Sequence, residues 1–415
     1  MKGWFKYLIL GQITLFLFNS CSKTEVYTSN DLSTSAVSLY RIGANSVINQ
    51  MRQTSDGGFI FCGSCNKDTS TNADAFLMKT DANGKIEWQK TFGGVSNDLF
   101  YKVIQAADGG FVAVGYTQSF GFGASRGDYY SDAYMIKTDA NGNMLWQKYF
   151  GSIYSDLFRD VVETSDHKFV AVGNGVFQDP SYGNSYVQQV YAVKVDQNGN
   201  YIWGYTYSGD HSVAQGYRVA LFKNGQIALT GTVVKSDFNY DQGTYYTCLY
   251  IVSPNGSPIL SSQVYNTLGN VIKVSGITNT GDGLVMGVVD STNKIVLVKT
   301  DYNASVLWHK YCNPQNQYNI YSFASDGNGG FTIGGDRIND PSYGASYFMN
   351  VNSNGEVTGG NEFKFQNQIA YAAGVCPNKN GYSLGLTLSS SFLNYGSQFA
   401  LMNIDKNGNL IDHGK

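Results

Sequence analysis

The chain has 415 residues, of which 42% are hydrophobic, 14% aromatic and 14% charged, with 48 Gly, 31 Tyr, 24 Phe and only 6 Pro. This composition excludes a disordered, collagen-like or coiled-coil protein, and a formal net charge of −3 from 28 Lys+Arg against 31 Asp+Glu excludes a broad basic surface for nucleic acid and a strongly acidic tail. Abundant Gly and aromatics with few charges point to many short strands joined by turns.

The first element in chain order is an export signal. Lys2 and Lys6 precede an apolar run from Tyr7 to Phe18, too short to span a bilayer as a helix and of the length of a signal h-region. The run ends in Leu17-Phe18-Asn19-Ser20-Cys21, which resembles the lipobox of bacterial lipoproteins, loosely matched ahead of the Cys. The resemblance implies that residues 1–20 are removed and that Cys21 is acylated; a thioether-linked diacylglycerol plus an amide-linked acyl chain suffices for stable bilayer anchoring. Residues 21–34, with their Ser, Thr and Asn, read as a flexible tether, and residues 35–415 as one domain.

That domain repeats itself. Lys79-Thr80-Asp81-Ala82-Asn83-Gly84 recurs as Lys137-Thr138-Asp139-Ala140-Asn141-Gly142 and Lys194-Val195-Asp196-Gln197-Asn198-Gly199, with degenerate copies placing Ser253, Asp301, Asn352 and Asp405 at the Asp station. A second station, Asp-Gly-Gly-Phe before an apolar run and Gly, aligns Phe59, Phe111, Phe169, Ile227, Leu284, Phe331 and Tyr382. Each Asp station lies 30 or 31 residues before the next Phe station, whereas a Phe station precedes its own Asp station by anything from 17 to 28 residues. Length variation is thus confined to one surface loop per unit.

A unit reads as four strands. Strand a runs from Phe100 to Ala106. Strand b, Phe111 to Gly115, is an uninterrupted apolar run expected of a strand buried on both faces. Strand c runs from Ala133 to Thr138, and strand d from Met144 to Phe150 with Trp146. Asp108-Gly109-Gly110 and Asp139-Ala140-Asn141-Gly142 supply the Asn and Gly that tight hairpin turns need. Seven such units predict an all-β fold, a seven-bladed β-propeller of four-stranded antiparallel blades. Val37 to Ile42 is expected to serve as strand d of the last blade beside Phe399 to Asp405, which closes the ring and leaves about Asn409 to Asp412 as the chain's own shortened copy. The runs from Lys137 to Gly151 and from Asp108 to Gly115 are similar to the repeats of secreted and lipid-anchored propeller proteins of Bacteroidota. The similarity covers essentially the whole mature chain. It is fainter in blades four to seven, where Leu260, Gly359 and Asp412 stand near the expected Trp. It implies the fold and an exported, outer-membrane setting, and no defined activity.

The variable b–c loops share a face with the d–a connections and gather aromatic residues, which suits a glycan, peptide or envelope protein as partner. The octapeptide Asp179-Pro180-Ser181-Tyr182-Gly183-Asn184-Ser185-Tyr186 returns as Asp340-Pro341-Ser342-Tyr343-Gly344-Ala345-Ser346-Tyr347, identical at seven of eight positions. Two readings stand: an inherited loop architecture, or ligand contacts by Asp179, Tyr182, Tyr186, Asp340, Tyr343 and Tyr347. A non-catalytic binding or scaffold module is the leading expectation; the alternative is a carbohydrate hydrolase or lyase using Asp179, Asp237, Asp241, Asp336 or Asp340. No catalytic residue, cofactor or metal is expected. The Asp-x-Asn-Gly turns lack the alternating oxygens and distant Glu of a calcium loop, and His167, His211, His309 and His413 scatter over different blades. Cys62-Gly63-Ser64-Cys65 has redox-like spacing, but Cys62 falls on an apolar strand position and Cys312 on a core one; a Cys62–Cys65 disulfide is left open.

Overall fold

The computed structural model describes residues 23–27, 36–66, 72–124, 130–179, 183–207, 212–235, 244–263, 271–312, 316–325, 329–338, 345–365, 368–389 and 397–411. Among these, seven sheets follow one another, each built on four antiparallel strands hydrogen-bonded in the order a-b-c-d. The innermost strands are Asn45–Gln53, Asp98–Gln105, Leu157–Glu163, Ser212–Leu221, Val271–Asn279, Tyr318–Ser325 and Ile369–Pro377. In the second blade, strands b, c and d are Phe111–Thr117, Asp132–Thr138 and Met144–Phe150, within two residues of the expected bounds.

Strand b is apolar throughout because both of its faces are covered. Phe111 and Ala113 pack with Ile60, Cys62 and Leu77 of blade one, while Val112 and Val114 pack with Phe158, Ala171 and Val193 of blade three. Each blade interface holds one such apolar cluster, including the interface between the last blade and the first, where Tyr40, Phe61 and Phe399 meet. The ring closes as expected: Val37–Tyr40 pairs antiparallel with Gln398–Asp405, Val37 opposite Met402 and Tyr40 opposite Phe399.

The repeated motifs prove to be joints. The station carboxylate organises its own turn: Asp139 Oδ1 accepts the Asn141 and Asn143 amides at 2.9 and 2.8 Å, and Asp81, Asp196, Asp301 and Asp405 do the same. The Lys two residues earlier reaches across strand b to the Asp of the a–b turn. Lys137 Nζ lies 2.7 Å from Asp108, Lys79 Nζ 2.8 Å from Asp56 and Lys299 Nζ 2.7 Å from Asp282. The strand-d Trp rivets its blade to the next: Trp88 Nε1 donates to Ala140 O at 3.0 Å, Trp146 Nε1 to Gln197 O at 2.8 Å and Trp203 Nε1 to Pro254 O at 3.1 Å. Where Leu260 replaces Trp, the facing turn carries Ala304 instead of Gly, and the two share one apolar cluster. At the closing seam Tyr40 donates its hydroxyl to Gly84 O at 2.6 Å.

Three expectations need correction. Lys23–Tyr27, inside the segment read as a flexible tether, forms a strand parallel to Val357–Phe365 and becomes a fifth strand on blade six; the exposed edge of an outermost strand is a ready template for such pairing. The chain's own final copy of strand d shrinks to a single bridge between Ile404 and Leu410, because Val37–Tyr40 already occupies that edge. A single helical turn, Gly121–Ala124, interrupts the b–c loop of blade two, where no helix was expected. Residues 1–22, with Cys21, lie outside the described residues.

Candidate functional site

On the loop face, the predicted ligand residues separate. In blade three, strands Phe169–Asp179 and Ser185–Val195 stay paired out to Asp179 opposite Ser185, so the hairpin projects beyond the blade body. Tyr186 is 44% exposed there; its ring lies 4.6 Å from Tyr154, which meets Tyr130 edge-on at 5.9 Å. Asp179 is buried instead of presented, accepting a hydrogen bond from Gln189 Nε2 at 2.9 Å. In blade six the second Tyr of the octapeptide is withdrawn completely. Tyr347 is 1% exposed, donates to Asn319 O at 3.0 Å and packs 4.6 Å from Tyr318. The cause is register: Tyr186 stands ten residues before Asp196, but Tyr347 only five before Asn352. Tyr347 therefore sits opposite Gly335, the core position that Tyr191 fills opposite Gly173 in blade three. Tyr182, Asp340 and Tyr343 lie outside the described residues.

Sequence reasoning missed four buried carboxylates at the top of the first blade interfaces, Asp74, Asp98, Asp132 and Asp156. They staple loops. Asp132 accepts the Phe122 and Gly123 amides, Asp98 the Gly94 amide and the Ser119 hydroxyl, and Asp156 the Val176 amide and the Ser152 hydroxyl. Burial raises the Asp98 carboxyl, and burial together with nearby Asp132 lifts Asp156 to about 6. Of the carboxylates considered for catalysis, Asp179 and Asp336 are buried, and Asp237, Asp241 and Asp340 lie outside the described residues.

The channel holds a denser arrangement. Every innermost strand carries a β-bulge at one shared level, at Asn49, Tyr101, Arg159, Tyr217, Ser275, Tyr321 and Ala373. A bulge leaves ladder groups unpaired, and the next residue repairs this by reaching one blade onward. Gln50 Oε1 accepts the Val103 amide at 2.8 Å, Asp160 Oδ2 the Val219 amide at 3.1 Å and Ser322 Oγ the Val375 amide at 3.0 Å, while Arg218 Nε donates to Ser275 O at 2.7 Å. Lys102 Nζ joins the ring 3.3 Å from Asp160 Oδ1. At the bulge level the Arg159 guanidinium lies between the Tyr101 and Tyr217 rings, at 5.4 and 5.1 Å, and Lys273 Nζ stands 5.7 Å from the Tyr321 ring centre. Below this tier, toward the a–b hairpins, a cavity of about 460 Å³ opens between all seven innermost strands, with Arg52, Lys102, Asp160 and Arg218 in its wall.

Among the described residues no cluster of three or more His, Cys, Asp or Glu is placed to hold a metal ion. Cys62 and Cys65 are not bonded to each other; their odd separation along one strand sends them into different blade interfaces.

The sequence matches no protein-family model and no curated protein. Solved structures resemble its fold. The WD40 domain of Pan2 from Neurospora crassa is 10% identical with a TM-score of 0.48, covering 89% of this chain and 92% of that one. Sqt1 from Chaetomium thermophilum is 11% identical with a TM-score of 0.46 over 88% of this chain and 100% of that one. A protein of unknown function from Dyadobacter fermentans is 9% identical with a TM-score of 0.45 over 89% and 98%. Identities this low transfer no activity.

Proposed function

We propose that the protein is a non-catalytic binding or scaffold module of the bacterial cell envelope, held at the outer membrane through acylated Cys21 and engaging a glycan, peptide or protein through its b–c loop face. A closed ring that places its tight turns on one face and its long loops on the other fits such a role. The observation that carries the reading is the tyrosine ladder Tyr130, Tyr154 and Tyr186, with Phe122 of the same face 61% exposed. Aromatic rings left at a surface offer large contact area at little entropic cost. The docked N-terminal strand supports an orientation. Because Lys23–Tyr27 runs parallel to Val357–Phe365, Lys23 is the end of that strand nearer the hairpin-turn face, and an anchor two residues before it would turn the loop face away from the bilayer. The test is retention of residues 22–415 on glycan and peptide arrays, with turnover assayed in the same wells. Tyr154→Ala/Tyr186→Ala is expected to lose tenfold or more in affinity; full retention by the double variant, or product release by the parent, retires the reading.

A further inference from the structure

We propose that the hairpin-side half of the central channel binds a small multivalent oxyanion, held by Arg52, Lys102 and Arg218. This goes beyond the loop-face reading and stands independently of it, since cavity and tyrosine ladder lie toward opposite faces. The argument is one of charge. The cavity wall carries three cations against one carboxylate, Asp160, and that carboxylate is already committed. Its Oδ1 meets Lys102 and the Val161 amide, and its Oδ2 the Val219 amide. Arg218 gives Nε and Nη1 to the Ser275 and Tyr217 carbonyls, which occupies two of its five donors, leaves one Nη1 and both Nη2 hydrogens and neutralises nothing. Among the described residues no carboxylate comes within ion-pair distance of Arg218 or Arg52. Arg159 and Lys273 stand at or just above the bulge tier that roofs the cavity. Like charges enclosed by protein repel more strongly than in water. Burial pushes the Lys102 ammonium below its ordinary value, with Asp160 opposing and Arg218 and Arg52 adding to it, and burial together with Arg218 and Arg159 brings Lys273 down to about 8. An anion seated among these groups relieves that repulsion, and about 460 Å³ accommodates a phosphate, a tricarboxylate or a short acidic sugar.

The experiment is calorimetric titration of residues 22–415, which keep every described strand, with inorganic phosphate, citrate and digalacturonate at matched sodium chloride. The three arms separate an inorganic, a polycarboxylate and a sugar-acid source. Saturable binding of at least one anion is expected, with a matching rise in Tm. The affinity is expected to drop about tenfold or more in Arg218→Gln and to be unchanged in Tyr154→Ala/Tyr186→Ala. Should Arg218→Gln not fold, the exposed Arg52→Gln takes its place with the same expectation. Absence of saturable binding in all three arms, or parental affinity in the folded arginine variant, overturns the proposal.

Discussion

Two turn glycines separate the demands that a hairpin makes. Gly142 has φ +77°, and a Cβ there would fall 2.6 Å from Trp88 of the preceding blade; Gly109 has φ +85° with nothing within 4 Å. An L-residue at either position costs about 1 kcal/mol in backbone strain. Only at Gly142 must an indole also move, adding about 1–3 kcal/mol. Urea unfolding is expected to show Gly109→Ala losing about 1 kcal/mol and Gly142→Ala about 2–4 kcal/mol; equal losses would mean that the Trp joint contributes nothing. Carboxylates carry opposite signs of pH dependence. Burial tends to raise Asp56, but hydrogen bonds from Lys79, Thr54 and the Gly58 amide outweigh it and hold the group at about 2, below its ordinary 3.8. Its stabilisation is therefore complete above about pH 4 and is lost as pH falls through 2. Asp156, raised to about 6, stabilises at acid pH and loses that contribution as pH climbs from about 4 through 6. Carboxyl-carbon NMR is expected to find Asp56 ionised at about pH 3 and Asp156 still largely protonated at about pH 5; the reverse order would refute both assignments.

Element by element, the strands whose chemistry is local were legible. Phe111–Thr117 begins where expected and Met144–Phe150 matches both expected bounds, because the apolar run of the first and the turn residues ahead of each mark a strand without reference to the rest of the chain. The N-terminal strand was legible by counting: thirty residues back from Phe59 an Asp station is missing, and Val37–Tyr40 fills the blade edge where its strand d belongs. The ring needs this strand, since without it Gln398–Asp405 has a bare edge and Tyr40 no longer bonds Gly84. A chain begun at residue 36 is expected to keep one cooperative thermal transition, and one begun at residue 41 to lose it or aggregate; superimposable melts would show the seam to be dispensable. The duplicated octapeptide was misleading for a related reason. Identity at seven of eight residues marks common chemistry, but distance to the next Asp station sets the register, and a five-residue difference carries Tyr347 into the core while Tyr186 remains outside. Counting back from Asp196 and Asn352 would have revealed this.

Over the whole molecule, charge position matters more than charge total. A net charge of −3 excludes a broadly basic surface yet is silent on a basic axis. The residues that meet there recur nine residues before the Phe station in blades one to four, as Gln50, Lys102, Asp160 and Arg218. Their shared signal is a polar side chain in an otherwise apolar-leaning strand, and such a residue reads as solvent-facing until the blades are arranged in a circle. The fold was determined by the sequence alone, because a constant stride of about thirty residues, turn-forming Asp, Asn and Gly, and one apolar strand per unit are each local properties, and only a closed ring buries all seven repeats equally. What the tertiary structure decided is which side chains face one another. Residues some fifty positions apart converge at the channel only through the tilt and bulge of seven strands, and a loop tyrosine becomes core or surface according to a register that no single repeat contains.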